Sequence, residues 1–130
     1  MTVDHYQPLS ANGLDDDGNL VYACFRCNLF KAGYYDPGTD PHSSFRILHP
    51  QKDSFAAHIH EDDSGILVAL TDLGSFHITV LHLNRPQLIA YRLRVRHMDL
   101  LRQRERQLTQ MLDQAREMLS DMQRYLDSLT

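Results

Sequence analysis

The last stretch of the chain, residues 96–130, constrains its fold most, because it carries an unbroken helical pattern with no glycine or proline. Apolar side chains recur at Met98, Leu101, Leu108, Leu112, Ala115, Leu119, Met122, Leu126 and Leu129, in steps of three and four interrupted only where Glu105 takes a seam position. At roughly 1.5 Å per residue such a helix is about 50 Å long, longer than the body the preceding residues can build. Part of its stripe is therefore expected to pack outside its own domain. With Leu101, Leu108, Ala115, Met122 and Leu129 at heptad position d, and Met98, Glu105, Leu112, Leu119 and Leu126 at a, the g positions include Met111, Met118 and Tyr125. The apolar band is then wider than a two-stranded seam, with methionines that make it adaptable. The predicted oligomer interface is Leu101, Leu108, Met111, Leu112, Ala115, Met118, Leu119, Met122, Leu126 and Leu129.

A chain of 130 residues, 42% apolar and 23% charged, is large enough for one core with a projecting arm. Its longest apolar run, residues 65–70, is too short to cross a bilayer. The start of the chain lacks the basic and apolar stretches of a secretory signal, and the two cysteines are too close for an ordinary staple, so a reducing cytoplasm is the expected compartment. The predicted organisation is a flexible segment at 1–19, an antiparallel β-sheet domain at 20–95 and a long amphipathic helix at 96–130. Within the middle segment, strands are expected at 20–27, 45–48, 55–60, 65–71, 75–83 and 88–95, each bounded by Pro, Gly, Asn or Asp, with a turn-rich loop at 33–41. The expected fold class is α+β: an antiparallel sheet of five or six strands followed by one long C-terminal helix.

Three groups could carry chemistry. The pair Cys24 and Cys27 could be half of a zinc site completed by His58 and His60, alternate residues of one expected strand. It could also be two semi-buried structural thiols, the reading favoured by a continuous strand in which residues three apart face opposite sides. A redox dithiol needs a helix after the first thiol, and the residues from Asn28 to Gly33 are too few to predict one of any length. Glu61 and Asp63 lack an apolar pocket that would make either a general acid, and Asp15-Asp16-Asp17 lacks the spacing of a calcium loop.

The arginines form the third group. The net charge of −4 conceals seven of them between Arg85 and Arg106, opposed only by Asp99 and Glu105. If 88–95 is a strand, Arg92, Arg94 and Arg96 project from one side of it, and Arg102 and Arg106 continue on a helix face as a polyanion-binding patch. The competing reading is a solvated edge whose arginines pair with acidic turns. These features predict a non-enzymatic homo-oligomeric interaction protein, an adaptor, inhibitor or regulatory subunit with a protein partner and no cofactor. The alternative is a small zinc-containing nucleic-acid-associated protein that uses Cys24, Cys27 and the arginine patch.

Overall fold

The computed structural model describes residues 1–32, 34 and 46–130, which divide into two units, Met1–Ala90 and Tyr91–Thr130. The first begins with β1 (Thr2–His5), antiparallel to β2 (Leu20–Ala23) with Val3 opposite Tyr22 and His5 opposite Leu20. Residues 1–19, expected to be loosely held, thus contribute a paired strand and a 3-10 turn at Leu9–Ala11. β2 stops at Ala23 because Cys24 caps the helix α1 (Phe25–Lys31): its Sγ accepts the Cys27 backbone N–H at 3.3 Å. The helix ends where Ala32 turns left-handed at φ 45°.

The helix α2 (Phe55–His58) leads into β3 (Ile59–Glu61), which pairs antiparallel with β4 (Leu67–Ala69). Asp62 closes this hairpin, its Oδ1 accepting from the Ser64 and Ile66 backbones, each at 2.9 Å. On the open edge of β4 the Asn84 amide behaves like a neighbouring strand, accepting from Leu67 N and donating to Leu67 O, both at 2.8 Å. The next element is a helix, α3 (Asp72–Val80), capped by the Thr71 hydroxyl, which accepts from Gly74 N at 3.1 Å. A Cβ on Gly74 would lie 2.1 Å from the His58 carbonyl oxygen, so only glycine allows α3 this close to the end of α2.

The five- or six-stranded sheet is therefore not what forms: the described residues hold two two-stranded sheets. Three expected strands fail for identifiable reasons. The β-branched run at 75–83 is overridden by the Thr71 cap and by burial of the His77 face. At 88–95 the arginine alternation imitates a strand, but Pro86 stands at the first helical position and starts α4 (Pro86–Ser128) ten residues earlier than the expected boundary. At 55–60 the first four residues are helical. The strand at 45–48 and the loop at 33–41 fall partly outside the described residues; residues 46–48 are irregular.

Among the described residues Ile47, Leu48 and Leu81 are buried apolar side chains, accompanied by buried Lys31, His49 and His77. Each buried polar side chain has a partner among the described residues: His77 Nδ1 accepts from Leu48 N at 3.0 Å, and His49 Nε2 lies 3.1 Å from Gly18 O. Arg46 grips Asp53 with two hydrogen bonds, which holds that carboxyl down at about 2. In the second unit no residue of α4 is buried. Along it Asp99 pairs with Arg102 at 3.3 Å, Asp113 with Arg116 and Asp121 with Arg124, each between residues three apart. No described helix is long and apolar enough to cross a membrane.

Candidate functional site

Strand alternation separates Asp4 from its chain neighbour His5, and α1 brings Asn28 and Lys31, one turn apart, against Asp4. The Lys31 ammonium is 3.0 Å from Asp4 Oδ2 and donates to the His5 carbonyl at 2.6 Å, an arrangement that ties the end of α1 to β1 and satisfies a buried charge. The Asn28 amide stands against both carboxylate oxygens, 3.2 Å from Oδ1 and 3.1 Å from Oδ2 with its nitrogen turned inward. In this arrangement Asn28 donates to Asp4; a cation bound here would require the amide to turn its oxygen inward, which would give it two oxygen-bearing groups of the kind hard divalent cations take. A carboxylate has about four lone-pair sites, enough to serve Lys31 and a cation together. One carboxylate and one amide suit magnesium, which keeps its remaining positions for water or substrate phosphate.

His5 ends β1, its Nε2 3.0 Å from Asp15 Oδ1. When Nε2–H donates to Asp15, Nδ1 is left as the basic nitrogen, held in one tautomer by the carboxylate. The loop carrying Asp15 is fastened by Asn19, whose side chain accepts from Gln7 N at 2.7 Å and donates to Gln7 O at 2.9 Å and Leu14 O at 2.7 Å. Asn19 thereby extends the β1–β2 pairing where the strands end. The same crossing requires Gly13, since a Cβ there would lie 2.0 Å from Gln7 O.

Cys24 and Cys27 lie close together, and both sulfurs are 3.6 Å from Arg85 Nη2. Burial raises the Cys24 thiol, but hydrogen bonds from Cys27 and the Arg85 guanidinium outweigh it and leave the pKa lowered. Burial dominates at Cys27 and pushes its pKa up, with Arg85 opposing. The continuous strand expected across these residues is replaced by a helix N-terminus, so the sulfurs converge instead of facing opposite sides. The zinc shell of Cys24, Cys27, His58 and His60 is not assembled: no group of three or more His, Cys, Asp or Glu among the described residues could hold a metal. His58 Nδ1 is 2.8 Å from the Thr71 hydroxyl, and His60 is an exposed residue of β3.

Arg92, Arg94, Arg96, Arg102 and Arg106 all lie on α4. Residues two apart on a helix are separated by about 200° around its axis, so Arg94 falls away from Arg92 and Arg96 and the expected one-sided row of three does not exist. Arg92 and Arg96 are half-buried, whereas Arg94, Arg102 and Arg106 are exposed. The predicted interface residues from Leu101 to Leu129 are exposed along α4, Leu112 at 52% and Leu119 at 65%.

Asp4, His5, Asn19, Asn28 and Lys31 belong to no period and so escape a reading by hydrophobic pattern. Their signal in the sequence is the placement of Asn28 directly after Cys27 and of Lys31 one turn on, behind an Asp4-His5 doublet.

The family model of HNH endonucleases matches residues 1–32, about a quarter of the chain, and this segment spans β1, β2 and α1. No curated protein and no solved structure matches the chain.

Proposed function

We propose that β1, β2 and α1 form a metal-assisted nuclease centre that hydrolyses phosphodiester bonds in nucleic acid. One observation carries the reading: Asn28 and Lys31 converge on Asp4, the chain neighbour of His5, within the segment that the HNH endonuclease model matches. Asp4 and Asn28 would hold a divalent cation, which when bound polarises a phosphoryl oxygen and neutralises charge developing on the phosphate. Lys31 fixes the Asp4 carboxylate against β1 and limits how far it can turn. His5 takes the proton from the attacking water, with Asp15 stabilising the imidazolium that results. Asn19 holds the loop so that Asp15 stays within reach of His5. The acidic net charge argues against sequence-blind binding by the whole surface, so substrate contact is local to this unit.

This reading retains the nucleic-acid partner of the sequence-based alternative and replaces its zinc. It also makes the chain an enzyme, unlike the adaptor or regulatory subunit that the helix pattern first suggests. The test is incubation of plasmid DNA and single-stranded RNA with purified protein in magnesium or manganese. Divalent-dependent cleavage that disappears with a chelator and in Asp4→Ala is expected. Intact substrates under every divalent ion, from protein with native far-ultraviolet dichroism, would overturn it. Stoichiometric zinc in the purified protein, lost in Cys24→Ser, would restore the structural-zinc alternative.

A further inference from the structure

We infer that Cys24 and Cys27 are a reversible thiol–disulfide pair that a small disulfide, such as glutathione disulfide, oxidises to an intramolecular bond. The inference is independent of the nuclease reading and uses none of its residues. Two observations carry it, the convergence of the sulfurs and the setting in which they meet.

Cys24 Sγ stands 3.3 Å from the Cys27 backbone nitrogen, and both sulfurs lie 3.6 Å from one atom, Arg85 Nη2. Residues three apart across a helical turn have Cβ atoms about 5–6 Å apart, and a disulfide needs about 3.5–4.5 Å. Closing the bond therefore asks for about 1–2 Å of tightening and a turn of the Cys27 side chain. The chain has no other cysteine, so an internal bond has one possible pairing. The setting is that of reactive thiols, which lie partly exposed beside cations, whereas structural cysteines are packed away from both. Cys24 is exposed, Cys27 is half-buried, and neither is in a disulfide. The cation is held in place: Arg85 Nη1 donates to the carbonyls of Leu81 at 3.1 Å and His82 at 3.2 Å, and the guanidinium lies 5.4 Å from the centre of the Phe30 ring.

The more exposed sulfur, Cys24, is the point of entry. Its thiolate attacks one sulfur of the small disulfide RSSR, whose S–S bond breaks; one RS⁻ leaves and Cys24 carries a mixed disulfide. Cys27 then attacks the Cys24 sulfur, forming the internal bond and expelling the second RS⁻, and the Cys27 proton ends on one of the two released thiolates. Two electrons pass from the cysteine pair to RSSR, which becomes one thiol and one thiolate. Negative charge is shared among the sulfurs as each bond exchanges, and a guanidinium fixed beside both cysteines favours it. Arg85 is thus a positioning residue that undergoes no bonding change.

The experiment uses the full chain, reduced, freed of reductant, incubated with excess glutathione disulfide at neutral pH and quenched with N-ethylmaleimide. Intact mass should show a single chain lighter by two hydrogens and carrying no maleimide, and treatment with dithiothreitol before the quench should restore two maleimides. Cys27→Ser should stop with one glutathione on Cys24, and Cys24→Ser should react several-fold more slowly. Arg85→Leu should slow the first step several-fold, Arg85→Lys should recover part of the loss, and all these rate differences should vanish in denaturant. The mass of the unmodified chain decides the matter whether or not a variant folds. Two thiols still free after prolonged exposure, glutathione retained on both sulfurs, disulfide-linked dimers in place of the internal bond, or stoichiometric zinc on the protein as purified would each overturn the inference.

Discussion

The segment from β1 to α1 and the helix beyond Tyr91 are built on opposite terms. In the first, polar side chains reach across the chain: Lys31 to Asp4 and the His5 carbonyl, Asn19 to Gln7 and Leu14, Asn28 to Asp4. In the second, no residue of α4 is buried, and Asp99, Asp113 and Asp121 each pair with the arginine three residues on. Long-range polar contacts define a site whose geometry is unique to one arrangement. Local periodicity defines a rod that is the same wherever it points, and its specificity must come from what it pairs with. Where Ile47, Leu48 and Leu81 are the buried apolar residues among those described, such polar stitching adds to what burial at about 25 cal/mol per Å² supplies.

The sharpest way to break this comparison is at the site. His5→Ala should lower divalent-dependent cleavage by about 10²- to 10⁴-fold, the usual range for losing a positioned base, while circular dichroism of the helix stays constant. An equal loss of helical signal would show that the two regions are not independent.

Next in size is acid sensitivity confined to the first unit. Burial holds His77 neutral, its pKa pushed down to about 4 from 6.5. Below pH 6.5 the unfolded chain binds a proton that the fold refuses, so stability is complete above that pH and falls toward pH 4, by about 3 kcal/mol in all. Denaturant midpoints measured between pH 7 and 4 should fall, and His77→Gln should flatten the dependence. Asp53, depressed to about 2 by Arg46, adds its loss only below its ordinary value of 3.8. A flat profile would remove His77 from the core.

Asn19→Ala should cost about 2 kcal/mol, because three hydrogen bonds, two of them part-buried, each contribute about 1 kcal/mol or less and the Gln7 N–H and C=O lose this partner. Thermal melts report it. Smallest is Arg124→Ala, which breaks an ion pair with Asp121 whose side chains are 74% and 61% exposed. Its effect should stay within about 0.5 kcal/mol, and a larger one would mean that Arg124 has a partner on another chain.

What the sequence reveals follows the same division. The long helix is legible because its evidence is local, a repeat that a single window contains. Only its start is misjudged, where the arginine alternation beside Pro86 imitates a strand. The residues at 75–83 show the limit of composition, since a β-branched run folds as α3 once Thr71 caps it and His77 finds Leu48. The candidate site is hidden because Asp4 and Asn28 are 24 positions apart and neither lies on an apolar period. The cysteine pair is conspicuous in the sequence, yet its environment depends on Arg85, far along the chain.

Asn84 carries a consequence for how the molecule behaves in a crowded solution. An exposed strand edge with free amides and carbonyls is a template on which another chain can grow a sheet. By taking both the N–H and the C=O of Leu67, the Asn84 amide leaves β4 with nothing to offer at that position. A single side chain thus acts as a guard against aggregation for a hairpin too short to bury its own flank.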